Sequence, residues 1–168
     1  MMDKLILGLT FLSALGSGLI GGVFFGFSTF VMRALARLPA QQGIAAMQSI
    51  NIVVINPMFM TAFMGTGVAC LALAVLSFFR WQKPGAGYLI TGSLLYLLGT
   101  ILVTMLFNVP RNDALAAADP ASAEGARVWT SYVTSWTAWN HVRTGAALAA
   151  AALLSIALVK FMSTRISN

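Results

Sequence analysis

The chain has 168 residues, of which 59% are hydrophobic and 8% charged, whereas a soluble domain carries about 25% charged residues. So few charges cannot cover a globular surface, and the apolar side chains must therefore face lipid as well as one another. The net charge of +6 comes from Lys and Arg residues scattered at the ends of apolar runs. This pattern argues against nucleic-acid binding, which needs a clustered basic surface, and makes the lipid bilayer the main partner.

The first apolar run, from Leu5 to Met32, contains 28 residues without a charge, and a helix needs about 20 to cross the hydrocarbon layer. The Ala34-Leu35-Ala36 that follows is similar to a signal-peptidase site. A signal peptide, however, has an apolar region of only about 7 to 15 residues. We therefore expect a retained membrane helix at about 5–32.

The next uncharged interval, from Leu38 to Phe79, carries several Gln and Asn side chains in its first half. This polarity predicts an interfacial helix at about 40–51, followed by a second span at about 52–79. Pro57 predicts a kink in that span, because proline removes a backbone donor and clashes with the preceding turn.

The third span is predicted at about 88–107, where Tyr88 to Phe107 supplies 20 uncharged residues. We expect this helix to end at Asn108-Val109-Pro110, since the residue before a proline is disfavoured in helical conformation.

The last apolar run, Thr144 to Val159, has only 16 residues, so the fourth helix should start earlier, at about 136–160, after an interfacial segment at about 119–135. Helical periodicity supports a single long helix from Asp119-Pro120, because large side chains recur on one face. They are Trp129, Tyr132, Trp136, Trp139 and Arg143.

The sequence thus predicts one all-α integral membrane domain over residues 1–168, a four-helix transmembrane bundle with a partly helical segment between helices 3 and 4. Four spans place both termini on one side. Five Lys and Arg residues then fall on each side, so the positive-inside rule gives a tie. We favour a bacterial inner membrane with cytoplasmic termini.

A dinucleotide-type GxGxxG pattern occurs at Gly16 to Gly21. That motif needs a strand-to-helix turn with free amides, whereas these residues lie inside a predicted span. The better interpretation is helix packing through a small residue at every fourth position, in Ala14, Gly18, Gly22 and Gly26. A homo-oligomer formed through this helix 1 glycine face is a further partner hypothesis.

Most polar side chains gather at the membrane face where helix 2 begins, helix 3 ends and helix 4 begins. They include Asn51, Asn56, Asn108, Arg111, Asn112, Asp113, Trp136, Trp139, Asn140, His141 and Arg143. Each has a structural explanation as a helix cap, an interfacial aromatic or a snorkelling cation. Asn140, His141 and Arg143 together at the start of a short span need polar partners, since an unpaired polar group in hydrocarbon costs several kcal/mol.

Catalytic templates that need a metal are excluded by the residue inventory. The chain has one histidine, His141, and one cysteine, Cys70, and it has neither an HExxH motif nor an acidic cluster. We therefore expect no metal. Charged residues are also absent from the middle of the first three spans, which argues against an ion pump or proton relay.

Two motifs resemble the paired pattern of the anthrone-oxygenase-like family of four-helix membrane proteins. They run Asn108-Val109-Pro110-Arg111-Asn112-Asp113-Ala114-Leu115 and Trp136-Thr137-Ala138-Trp139-Asn140-His141-Val142-Arg143. The resemblance extends loosely from Leu5 to Val159. Some members from aromatic polyketide pathways are associated with the oxidation of an anthrone to an anthraquinone.

The resemblance implies a cofactor-free oxidation by O₂, which needs a base, oxyanion donors and a dry aromatic pocket. His141 would be the base, with Arg143 and Asn140 completing the catalytic set. The predicted substrate-binding residues are Asn108, Asn112, Trp136, Trp139, Asn56 and Arg111. The alternative is a non-enzymatic membrane protein that binds a hydrophobic small molecule or stabilises a membrane assembly.

Overall fold

The computed structural model describes residues 2–166, which form an all-α fold without a strand in that range. Five helices follow one another: α1 (Met2–Leu35), α2 (Ala40–Val53), α3 (Pro57–Phe78), α4 (Ala86–Ala116) and α5 (Ala123–Ile166). Of these, α1, α3, α4 and α5 are long and apolar enough to cross a membrane. The predicted all-α membrane fold with four spanning helices is confirmed.

The long helices α1 and α4 contain π-helical segments. Residues Phe27–Val31 of α1 are π-helical, as are Leu97–Leu102 and Thr104–Asn108 of α4. A π-helical turn moves the backbone partner from i−4 to i−5, widens the helix and is frequent at functional sites. Phe27–Val31 and Thr104–Asn108 lie toward the ends of α1 and α4 that adjoin the predicted polar face, whereas Leu97–Leu102 lies in the middle of α4.

The predicted kink at Pro57 is instead a complete break between α2 and α3. Asn56 is extended, as expected before a proline, and its Oδ1 accepts a hydrogen bond from the Phe59 amide at 3.0 Å. Asn56 is therefore an N-cap with Pro57 in the first turn of α3, where the missing proline donor has no cost.

The predicted end of helix 3 at Asn108-Val109-Pro110 is wrong, because α4 continues through Pro110 to Ala116. Pro110 directly follows the π-helical segment Thr104–Asn108, where the regular i−4 ladder is already interrupted. Just beyond the proline, Arg111 Nη1 bonds the Phe107 carbonyl at 2.6 Å. A proline is thus accommodated without ending the helix.

The predicted segment 119–135 does not form a separate interfacial helix. Residues 117–122 form the turn, and α5 then runs unbroken from Ala123. Ser122 supports this start by accepting the Gly125 amide at 2.8 Å. The long-helix interpretation of the aromatic periodicity is therefore correct, whereas the boundary at about 136 is wrong.

The opposite end of the molecule is closed by the short turn between α3 and α4. Gly85 has a φ of +88°, a conformation that only glycine adopts readily. Arg80 in this turn forms an ion pair with Asp3 of α1 at 2.7 Å. These contacts hold the α3–α4 turn against the beginning of α1.

Two hydrophobic clusters fill the interior. The larger cluster lies among the four spanning helices and includes Ile20, Phe63, Leu73, Tyr96 and Leu154. The second is formed by Met32, Ile44, Met47, Leu115, Trp129, Tyr132 and Trp136, and it packs α2 against α5 and the end of α4. Gln48 of α2 adds hydrogen bonds to the carbonyls of Leu115 and Ala118.

The glycines that permit close helix packing are not those predicted. A Cβ added at Gly16 would lie 2.0 Å from the Thr66 hydroxyl oxygen, and one at Gly21 would lie 2.8 Å from Leu148. A Cβ at Gly22 would meet nothing within 4 Å. Helix 1 therefore packs through Gly16 and Gly21, and the homo-oligomer through the helix 1 glycine face stays a prediction.

Candidate functional site

A buried polar cluster is centred on Asn140 of α5, whose side chain is fully buried. Its Nδ2 donates to the Phe24 carbonyl and to the Ser28 hydroxyl, both at 2.7 Å. Its Oδ1 accepts a bond from Arg143 Nη2 at 2.6 Å. Both the nitrogen and the oxygen of the amide are therefore hydrogen-bonded, and the amide connects α1 to α5.

Arg143 is only 4% exposed and lies one helical turn after Asn140. Its Nη1 donates to the Thr104 hydroxyl of α4 at 3.1 Å. The guanidinium carbon lies 4.1 Å from the centroid of the Phe24 ring and 5.1 Å from that of Trp136. Two aromatic faces thus provide cation–π stabilisation for a charge that burial would otherwise penalise heavily.

Arg143 has no acidic partner within residues 2–166. The ion pairs of the described chain are Arg80 with Asp3 and Arg127 with Glu124, and both lie elsewhere. The Nε of Arg143 also has no hydrogen-bond partner in the described structure. The cluster is therefore a positively charged interior balanced only by amide, hydroxyl and aromatic groups.

The partners of this cluster come from the π-helical segments. Ser28 belongs to Phe27–Val31, and Thr104 and Asn108 belong to Thr104–Asn108. Ser28 also lies 3.2 Å from the Thr144 hydroxyl, which in turn donates to the Asn140 carbonyl. The altered helical register thus presents side chains of α1 and α4 to one face of α5.

Asn108 is fully buried beside the cluster, and its Nδ2 donates to the Trp136 carbonyl at 3.2 Å. Its Oδ1 and the Trp136 Nε1 are buried without a hydrogen-bond partner among the described residues. The predicted contact of Asn140 and Arg143 with Asn108 or Asn112 is not made directly. The observed partner of Arg143 on α4 is Thr104.

The other predicted substrate-binding residues make local contacts. Arg111 Nε donates to Ser135 at 3.0 Å, Asn112 Oδ1 accepts from the Tyr132 hydroxyl at 2.9 Å, and Asn56 caps α3. The Trp139 ring stacks on Phe107 with centroids 3.6 Å apart. These contacts join α4 and α5 at the polar face.

His141, the predicted base, is exposed on a different face of α5 from Arg143. At 100° per residue, two positions along a helix differ by about 200°, so the two side chains point away from each other. His141 lines an open groove of about 300 Å³ between α1 and α5. The remaining lining residues are Ser28, Met32, Arg33, Ala36, Val133, Thr134, Thr137 and Ala138.

This groove contains functional groups that the sequence analysis did not select. Thr137 lies one turn before His141, and its hydroxyl oxygen is buried without a partner in the described structure. Arg33 adds a cation from the last turn of α1. The spacing of Thr134, Thr137 and His141 at i, i+3 and i+7 could have indicated this face, but Ser28 and Arg33 join it only through tertiary packing.

The sequence model of the family described as Anthrone oxygenase matches residues 59–153. The chain belongs to the anthrone oxygenase family. Both motifs of the sequence analysis lie inside the matched region, as do all of α4 and most of α3 and α5. No curated protein and no solved structure matches the chain.

The match assigns only part of the site to the shared anthrone oxygenase region. Thr104, Thr137, Asn140, His141 and Arg143 lie within residues 59–153. The α1 residues Phe24, Ser28 and Arg33 precede it. Ser28 connects the two parts physically, because it lines the groove and accepts the Asn140 hydrogen bond. The groove and the buried cluster are therefore adjacent and share Ser28.

Proposed function

We propose that this protein oxidises a flat, lipophilic anthrone-type substrate with O₂ and that the substrate binds in the groove between α1 and α5. One observation carries the proposal: in a chain of the anthrone oxygenase family, the only imidazole lines an open groove beside an unpaired hydroxyl. The groove volume of about 300 Å³ is at the lower end for small-molecule sites.

The chemistry requires a base, and His141 is the candidate. An anthrone is acidic at its central methylene carbon, and the imidazole takes one proton from it to give an enolate. The enolate passes one electron to O₂, and the resulting radical pair combines at that carbon as a peroxide. Loss of the second proton with cleavage of the O–O bond leaves a carbonyl and releases the other oxygen atom as water.

Thr137 is the candidate donor for the enolate oxygen. Its hydroxyl oxygen is buried without a hydrogen-bond partner in the described structure, so a rotation of the side chain toward the groove would let it donate to a substrate oxygen without breaking another hydrogen bond. A fixed donor at the position of developing negative charge lowers the barrier of such a step.

Asn140 and Arg143 act in this proposal as positioning residues. Asn140 bonds the Ser28 hydroxyl at the groove wall, and Arg143 holds the Asn140 amide oxygen. Their positive interior also favours an anionic enolate on the other side of that wall.

The test is anthraquinone formation with O₂ consumption by the metal-stripped protein in detergent, corrected for spontaneous air oxidation. His141→Gln should lower the rate by roughly 10² to 10⁴, because an amide cannot accept the proton. Thr137→Val should lower the rate by a smaller factor. Thr130 lies on α5 outside the groove, so Thr130→Val should retain the wild-type rate. Melting curves of each variant check the fold.

Three outcomes would contradict this proposal. Equal rates of anthraquinone formation for wild type, His141→Gln and empty detergent would show that the protein does not catalyse this oxidation. Activity that is lost on chelation and restored by a metal would reject the cofactor-free step. Binding of the ring system without turnover by wild type would favour the non-enzymatic membrane protein that binds a hydrophobic molecule.

A further inference from the structure

The groove between α1 and α5 carries positive charge and no acidic side chain. Arg33 and His141 are its ionisable residues, and the other lining groups are apolar or hydroxyl-bearing. The acidic residues of the whole chain number four, and none of them lines the groove. Any ligand that binds there meets a cationic edge without a competing anion.

Arg33 is exposed and makes no ion pair or hydrogen bond with the described residues. Arg37 shares this property but lies outside the groove. Arg111 bonds Ser135 and the Phe107 carbonyl, Arg127 pairs with Glu124, and Arg143 is held in the buried cluster. Arg33 alone combines a free guanidinium with a place in the groove.

The rest of the groove suits a flat ring system. Met32, Ala36, Val133 and Ala138 give it apolar walls. An apolar slot with a guanidinium at one edge fits an amphiphile that has rings at one end and an acid group at the other. The planar guanidinium fork matches a carboxylate in a bidentate manner.

We infer that Arg33 determines substrate specificity and that the preferred substrate is an acidic anthrone, which carries a carboxylate on its ring system. This inference rests on the proposed function and names its substrate class. Arg33 lies outside the region matched by the family model, so the preference is a property of this chain's α1. The carboxylate binds at Arg33, while the reacting carbon lies toward His141.

The experiment separates recognition from turnover by using a product-like probe that cannot be oxidised. Binding of anthraquinone-2-carboxylate and of unsubstituted anthraquinone is measured in a non-ionic detergent by quenching of tryptophan fluorescence. Wild type should bind the carboxylate more tightly by about tenfold to a hundredfold, the range expected for a charge-assisted contact. Arg33→Gln should remove this difference and leave the affinity for anthraquinone within twofold.

Arg37→Gln is the matched control, because it removes the same charge four residues later, outside the groove. It should retain the wild-type preference. If Arg33→Gln and Arg37→Gln lost the preference for the carboxylated probe equally, the preference would come from general attraction of anions to a basic membrane surface. That result would overturn the inference. Equal affinity of wild type for the two probes would overturn it as well.

Turnover of an anthrone with and without a ring carboxylate completes the test. Arg33→Gln should raise KM for the carboxylated substrate and bring its kcat/KM down to that of the neutral substrate. If wild type oxidises neither anthrone yet binds the carboxylated probe through Arg33, the proposed oxidation fails and the recognition inference stands. If wild type oxidises both with equal kcat/KM, the oxidation stands and the inference fails.

Discussion

At the scale of single residues, the buried Arg143 sets the strongest constraint on this protein. A charge inside a membrane-spanning helix needs compensation, and here it comes from Asn140, Thr104 and two aromatic faces. Asn140 is the centre of this arrangement because it bonds Arg143, Ser28 and the α1 backbone simultaneously. Its loss would leave several buried groups unpaired.

Asn140→Ala should therefore lower the free energy of unfolding by about 1–3 kcal/mol, the cost of leaving buried polar groups unsatisfied. Asn112→Ala is the control, since Asn112 is only half-buried and accepts one bond, from Tyr132. It should cost about 0.6 kcal/mol, a typical value for a hydrogen bond between membrane helices. Thermal unfolding in detergent measures both, and equal melting temperatures for the two variants would contradict the central role of Asn140.

At the scale of helices, local backbone rules operate differently at Pro57 and Pro110. Asn56-Pro57 starts a helix because Asn56 can cap it. Pro110 leaves α4 intact because it directly follows a π-helical segment, where the regular i−4 ladder is already interrupted. The glycines of α1 show a similar dependence on context, since Gly16 is packed against Thr66 and Gly22 faces open space.

Gly16→Ala should destabilise the protein, whereas Gly22→Ala should leave its melting temperature unchanged or raise it. The added methyl at position 16 would lie 2.0 Å from Thr66 Oγ1 and 3.1 Å from its Cβ, and overpacking of this kind costs about 1–3 kcal/mol. At position 22 alanine only adds helix propensity. A melting temperature that falls more for Gly22→Ala would show that the face with Gly22 is an interface, as in the homo-oligomer hypothesis.

At the scale of the whole molecule, four spanning helices place the turn between α3 and α4 and the turn between α4 and α5 on opposite sides of the membrane. Trp81 in the first turn is 71% exposed, and Ala121 in the second is also exposed. The single cysteine, Cys70, is buried. This distribution allows the orientation to be measured by cysteine labelling.

In a Cys70→Ala background, a membrane-impermeant maleimide should label Ala121→Cys in intact cells and Trp81→Cys only after permeabilisation. That result is expected if both termini are cytoplasmic. The reverse pattern would overturn cytoplasmic termini, and labelling of both positions from one side would contradict the four spans. Labelling of the Cys70→Ala protein alone supplies the background.

The sequence by itself determined the membrane class, the number of spans and the side on which polar groups gather. Lipid cannot hydrogen-bond the backbone, so a long uncharged run must be a helix, and antiparallel helices must bring alternate ends together. The motifs around Asn108 and His141 also sufficed to indicate the family. The opposite orientation of His141 and Arg143 was present in the sequence too, because it follows from helical periodicity.

Tertiary structure alone decided which groups meet across helices. Asn140 bonds Ser28 over a separation of 112 residues, and no local rule relates two such distant positions. The π-helical segments changed which side chains of α1 and α4 face α5, so an ideal 3.6-residue period could not identify Ser28 or Thr104 as partners. The position of Arg33 in the groove also depends on tertiary structure, because the packing of α1 on α5 creates the groove that its side chain lines.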